Sequence, residues 1–177
     1  MEHRLKDGRH VIVRPIQQHD QVGLQIGLSL LSPRSIYYRF HTYRGSFTPT
    51  ELQYLVNCDG VKHIAWVAYE SDGQGNELCG IGVARCIRDE IDPEVGEVAF
   101  VVLDDWQGVG VGKRLLRQLA EQSISIGIRK WRASVLAENH RALGLLRKFG
   151  TQVSQSADGA EVELTVEIST VRYSSLA

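Results

Sequence analysis

The order of periodicities along the chain predicts an α/β protein built on a central mixed sheet with helices on both faces. Three observations carry that expectation. An apolar run from Val98 to Leu103 is long enough for a buried strand, and it leads through Gly108, Gly110 and Gly112 into a helical pattern. Two strand-like stretches precede it with turn residues between them, so three strands follow one another as a meander. After the helix come another strand, another helix and a closing hairpin, which requires at least one crossover connection.

The elements follow in order. Residues 2–15 read as a hairpin turning at Lys6-Asp7-Gly8-Arg9, with His10-Val11-Ile12-Val13 as the return strand. Asp20 is placed to cap a helix running to about Leu31 and carrying Val22, Leu24, Ile26, Leu28 and Leu30, although Gly23 and Gly27 weaken it. Ser32-Pro33 opens a short helix with Ile36, Tyr37, Tyr38 and Phe40. Thr48-Pro49-Thr50-Glu51 is a capping box leading a helix to about Asn57. The expected strands are then 61–70, 77–88 and 94–103, with polar turns between. Leu115, Leu116, Leu119 and Ile124 mark the core side of the long helix, and Gly127 closes it. A strand at 131–137 and a helix at about 139–149 precede a hairpin that turns at Ala157-Asp158-Gly159. The ends of the chain are the expected loose segments.

Composition bounds the function. The chain has 177 residues, 43% of them apolar and 23% charged, which suits one globular domain over residues 1–177. A net charge of −1 gives no bulk attraction to nucleic acid or anionic membrane. No apolar run reaches spanning length and Glu2-His3-Arg4 begins no signal peptide, so a cytoplasmic location is expected. The cysteines, Cys58, Cys79 and Cys86, lack C-x-x-C spacing, which argues against a disulfide framework and against zinc. The histidines form no metal-binding pair, so no metal is expected.

The glycine stretch is where chemistry enters. A glycine-rich loop feeding a helix start presents unpaired amides and the positive end of the helix dipole, a setting for an anion. A P-loop would need Gly where Gln107 stands and Ser or Thr where Arg114 stands, and the Rossmann fingerprint fails on Lys113 and on its place in the chain. Instead, Gln107-x-x-Gly110-x-Gly112 after an apolar strand resembles the pyrophosphate loop of the GNAT acyl-CoA N-acyltransferases. The order of elements is similar to that fold over nearly the whole chain. The resemblance implies that the strand before the loop and the strand after its helix splay apart, with acyl-CoA in the gap. It implies acetyl-CoA as acyl donor and a cofactor-binding set of Val101, Val102, Leu103, Gln107, Gly108, Val109, Gly110, Val111, Gly112, Lys113 and Asn139.

The second motif is 136–150, LAENHRALGLLRKFG, in which Ala142, Leu145, Leu146 and Phe149 form a core stripe. Asn139 is placed either to cap the helix or to bond a ligand. The family commonly carries an Asn here that bonds the pantetheine or its pyrophosphate. Two residues depart from the pattern: Thr151 stands where Phe usually follows the glycine, and Leu146 stands where many members place a Tyr that protonates the leaving thiolate. Within the superfamily, Leu31–Phe40, Glu97-Val98-Ala99-Phe100 and Val135–Asn139 resemble bacterial protein-lysine acetyltransferases, whose GNAT domain is often fused to a regulatory domain.

Glu97 is the candidate base. On a two-residue period it shares a strand face with Ala99, Val101 and Leu103, where partial desolvation is expected. It matches the strand position of the catalytic Glu in the protein-lysine acetyltransferases; the plainer alternative is a carboxylate that reaches solvent or pairs with an Arg. A backbone N–H near Val102 or Leu103 would polarise the thioester oxygen. The resemblance implies acetyl transfer to a primary amine, either a protein lysine or a small-molecule amine, and direct transfer is expected because the cysteines match no nucleophile motif of the family. An acyl-CoA-binding sensor or interaction domain is the non-enzymatic alternative, favoured by Leu146. A homodimer is left open.

Overall fold

The computed structural model describes residues 2–169; the expectation of loose ends falls mostly on residues outside that range. Eight strands form one sheet: β1 (Glu2–Arg4), β2 (His10–Pro15), β3 (His63–Ser71), β4 (Glu77–Arg88), β5 (Val95–Val102), β6 (Lys130–Leu136), β7 (Gly150–Asp158) and β8 (Glu161–Ile168). Their spatial order is β1-β2-β3-β4-β5-β6-β8-β7. All neighbours are antiparallel except β5 and β6, so the sheet is mixed as expected. Five helices pack on it: α1 (Gln21–Leu30), α2 (Pro33–Phe40), α3 (Pro49–Val56), α4 (Val111–Ser125) and α5 (His140–Leu146). No helix of the described residues is long and apolar enough to cross a membrane.

Strand alternation divides the core. Ile64 and Ala68 of β3 face the larger cluster with Val98 and Val102 of β5 and with Val111, Leu115, Leu116 and Leu119 of α4, all buried. Ala65 and Val67 point the other way, to a smaller cluster with Ile16 and Val56 beneath α1 and α3. The caps read from sequence hold α2 and α3. Ser32 Oγ accepts the Ser35 N–H, and Thr48 and Glu51 bond each other's backbone amides. Gly127, with φ of 92°, follows the C-cap residue Ile126 of α4, as expected.

Three expectations are corrected. Asp20 makes no side-chain cap for α1. It is 1% exposed, accepting from Arg14 Nη1 and Nη2 at 2.8 Å each, from Tyr69 Oη at 2.7 Å and from the Gln17 N–H at 2.6 Å. Sequence spacing could not reveal these partners, because Tyr69 comes from a distant strand. Of the apolar residues assigned to α1, Val22, Ile26 and Leu30 are exposed, whereas Leu28 is buried. Gly23 is needed there for close approach: a Cβ at that position would lie 2.7 Å from Tyr69 Oη. Finally, α5 is shorter than predicted, and its buried residues are Leu143 and Leu146, with Phe149 just beyond it; Ala142 and Leu145 are only half-buried.

Candidate active site

The two halves of the candidate site grow from β5. Its pairing with β6 is short: Val95, Gly96 and Glu97 oppose Lys130, Trp131 and Arg132, and then the pairing stops. β5 continues to Val102 and β6 to Leu136, with β6 paired to β8 along its whole length. The two central strands therefore part after Glu97 and leave a gap with backbone groups along its edge. Leu103 donates its N–H to Ile81 O at 2.9 Å, on the β4 side. Alternation then points the Val101 amide toward β4 and the Val102 amide toward the gap. This corrects the expectation for Leu103, whose amide is already bonded, and leaves Val102 as the donor facing the gap.

Past Leu103 the chain makes a 3₁₀ turn over Asp104–Trp106 and reaches the glycines. The turn is braced. Asp104 accepts from the Ser32 N–H at 3.0 Å, Ser32 Oγ at 2.9 Å and Ser35 Oγ at 2.7 Å. Burial pushes the Asp104 carboxyl up, and these bonds outweigh that and hold it below its usual range. Trp106 is buried under the Arg9 guanidinium, which lies 3.8 Å from the ring centroid. Gln107 turns its side chain inward, donating to Val102 O at 3.0 Å and Ser35 Oγ at 3.3 Å. It braces the loop, and its side-chain nitrogen is not left free for a ligand.

Among the described residues, none of the amides of Gly108, Val109, Gly110, Val111, Gly112 and Lys113 donates to a protein acceptor; the first bonded amide of α4 is Arg114, to Gly110 O. Gly110 has φ of 110°, a left-handed conformation that favours glycine, and a Cβ there would sit 3.1 Å from Arg114 Nη1. The Lys113 ammonium is pushed below its ordinary value, by burial first and then by Lys6, Arg114, Arg117 and Lys148 around it. Cations from three separate segments, the loop at Lys6, α4 itself and the turn at Lys148, thus crowd the start of α4. Lys6, Arg117 and Lys148 were not legible as site residues, because only the fold brings them together.

Asn139 caps α5, its Oδ1 accepting the Ala142 N–H at 3.1 Å, while its side-chain nitrogen makes no hydrogen bond among the described residues. Leu146 is 1% exposed and belongs to the core. Tyr37 lines a small cleft with Leu136, Ala137, Glu138 and Ala160 at the far end of β6. Tyr38 is held by Arg34 at 2.8 Å.

Glu97 is the last β5 residue paired to β6, at the point where the strands part. It is exposed, so the expected partial desolvation is not present in the chain alone. Among the described residues it makes no hydrogen bond or ion pair; its neighbour Arg132 is paired with Asp89 at 2.6 Å. Val101 and Leu103 of the same face line a cleft between the sheet and α1–α3. Arg39 and Arg85 also line it. Among the described residues no group of three or more His, Cys, Asp or Glu is placed to hold a metal ion.

A mixed sheet whose central parallel pair splays beside a glycine loop of free amides is the architecture of an acyl-CoA-dependent transferase. Residues 32–151 match the acetyltransferase (GNAT) family, and the chain belongs to that family. It is therefore an N-acetyltransferase-family enzyme, and the family implies acetyl-CoA as donor. The chain is 29% identical over 147 residues to Acetyltransferase Pat of Mycolicibacterium smegmatis, covering 83% of this chain and 43% of that protein. It is 31% identical over 127 residues to Acetyltransferase PA5475 of Pseudomonas aeruginosa, covering 71% and 66%. The chain thus spans less than half of one of these relatives and about two thirds of the other. The crystal structure of the GNAT domain of S. lividans PAT superposes with a TM-score of 0.82 at 28% identity, covering 95% of this chain and 96% of that one. The resemblance to the Pat branch rests on these relatives as well as on the motifs.

Proposed function

We propose that this chain transfers an acetyl group directly from acetyl-CoA to a primary amine, with a protein lysine as the first acceptor to test. The observation that carries the reading is the parting of β5 and β6 between two features: a loop of free amides at one end and an unpaired carboxylate, Glu97, at the other. Val102, Gly108, Val109, Gly110, Val111, Gly112, Lys113 and Asn139 would hold the donor, the amides meeting its pyrophosphate. Their free donors and the surrounding cations suit a diphosphate. The Val102 N–H would bond the thioester oxygen as negative charge develops there.

A lysine ammonium has a pKa of about 10.4, so a base must take its proton before attack. Glu97, unpaired and solvent-accessible, is assigned that role. The neutral amine attacks the thioester carbonyl, the carbon–sulfur bond breaks, CoA leaves as a thiolate, and the extra proton on the attacking nitrogen passes to that thiolate or to solvent. A thiol of pKa about 8.5 leaves without obligatory protonation near neutral pH, so Leu146 is compatible with turnover. The cysteines offer no acyl carrier. Cys86 is buried, and burial pushes its thiol up to about 12. Cys58 is half-buried and also pushed up by burial. Steady-state CoA release against lysine peptides and small amines tests the proposal; tight acetyl-CoA binding with no release above hydrolysis for any amine would refute it.

A further inference from the structure

The sheet face beneath α1–α3 carries an imbalance of charge. Arg85 projects from β4 and is 5% exposed. Its Nη1 donates to Leu55 O at 3.3 Å and lies 2.9 Å from His63 Nε2; among the described residues its other nitrogens make no hydrogen bond. Arg39, at the end of α2, lies half-buried on the same cleft; among the described residues it has no hydrogen bond or ion pair, and its guanidinium lies 5.0 Å from the Phe40 ring centroid. Neither guanidinium has a carboxylate at ion-pair distance among the described residues. Other arginines outside the α4 side do: Arg14 pairs with Asp20 and Glu77, Arg44 with Glu51, and Arg132 with Asp89. Asp20 also lines the cleft, but Arg14 and Tyr69 already bond it. Glu97 is within electrostatic reach of Arg39 without pairing to it.

Burying a cation without a counter-charge is costly, and such groups are ordinarily paired. Burial first, and then the neighbouring positive charge of Arg85, pushes Arg39 down to about 10, so it remains charged at neutral pH. The guanidinium fork suits a carboxylate, which it can bond through two parallel N–H groups. A polycationic acceptor would meet two like charges here. We propose that the acceptor amine carries a carboxylate, which Arg39 and Arg85 hold in the cleft while the amine lies toward Glu97. This rests on the reading of that face as the acceptor side. The carboxylate could belong to a free amino acid or to an acidic residue beside a lysine in a peptide.

The test is calorimetry on the full chain saturated with CoA, using two matched pairs: β-alanine with β-alaninamide, and a blocked lysine peptide flanked by aspartates with its asparagine counterpart. The carboxylate member of at least one pair should bind ~10-fold tighter, in line with one charge-assisted pair. The pair that shows the preference identifies the source. R39Q should reduce the preference to within about two-fold while CoA affinity stays unchanged, and R39K should fall between. R39Q is the main variant because Arg85 also bonds the fold. Equal binding within both pairs, no binding by either carboxylate, or a preference that survives R39Q overturns the inference. Acetyl transfer measured on the same probes separates the two readings. Transfer without preference removes the inference and leaves the proposed function; preference without transfer to any amine does the reverse.

Discussion

The two sides of the β5 strand are built from different materials. On the α4 side the proposed anion site is backbone: six amides unpaired among the described residues, a glycine at φ 110°, and a helix start. On the α1–α3 side the cleft is made of side chains from β3, β4, β5 and three helices. Short of proline, which lacks the N–H, substitution can only distort or block a backbone donor. Side chains can be removed one at a time, so the proposed acceptor side is the more changeable half. A donor common to a family calls for the first kind of site; an acceptor that varies calls for the second.

The largest effect should come from the side-chain half. Glu97→Gln keeps shape and hydrogen-bonding capacity but removes the base. Turnover should fall by ~10²–10⁴, while acetyl-CoA affinity stays within a few-fold. The deficit should shrink as pH rises, because more of the amine arrives neutral. A variant that turns over like the parent at neutral pH would make Glu97 structural. A loss of CoA binding as well would break the division between the two sides.

The backbone half should respond differently. Gly110→Val introduces a β-branched residue at φ 110° with a Cβ 3.1 Å from Arg114 Nη1. CoA affinity should fall by ~10-fold or more, with the turnover of bound complex less affected, since one charge-assisted hydrogen bond is worth about 1.5–3 kcal/mol. Gly108→Ala is the control. It is also left-handed, but its Cβ meets nothing within 4 Å, so it should carry the strain without the obstruction. If both variants bind CoA like the parent, the amides are not the anion site.

The same division explains what was legible in the sequence. The strand–glycine–helix unit is local, so spacing alone located α4, its free start and its Gly127 stop. The caps of α2 and α3 were readable for the same reason. Asp20, Arg39 and Arg85 were not, because their settings depend on strands and helices far apart in the chain. Glu97 was placed on the right face, but its exposure was missed: alternation shows which side a residue faces, not whether a helix covers it. The α5 stripe held at Leu146 and Phe149 but missed Leu143: the helix is turned so that Leu143 faces the core while Ala142 and Leu145 pack half-buried at its edge.

A smaller effect distinguishes the halves by pH. His63 is buried beside Arg85, and its pKa is lowered to about 4, by burial first and by Arg85 second. The folded chain keeps it neutral, while the unfolded chain takes a proton near 6.5. Its contribution to stability is therefore full above 6.5 and lost as pH falls from 6.5 toward 4. The loss should be on the order of 1–2 kcal/mol after discounting for screening, and His63→Gln should flatten that limb in urea titrations. CoA affinity, which depends on the other side, should not follow it. A limb of equal slope in the variant would assign the acid loss to other groups.

The smallest effect on catalysis is expected at Leu146, where the family pattern would put an acid. Leu146 is 1% exposed and packs in the core with Leu143 and Phe149. A tyrosine there must either overfill that core or turn its hydroxyl toward the gap between β5 and β6. Overfilling costs about 1–3 kcal/mol. Since a thiolate of pKa about 8.5 leaves unaided near neutral pH, a phenol that reached it would add little there and more at acidic pH, where CoA would otherwise be protonated only by water. Leu146→Tyr should therefore lower the urea midpoint and change kcat by no more than about two-fold at neutral pH. Leu146→Ala separates packing from chemistry: it should cost about 2–5 kcal/mol as a core truncation and leave the pH profile of kcat unchanged. A ten-fold gain in kcat for Leu146→Tyr would show that α5 turns this position into the gap once donor is bound, and it would move Leu146 from the core into the donor half of the site.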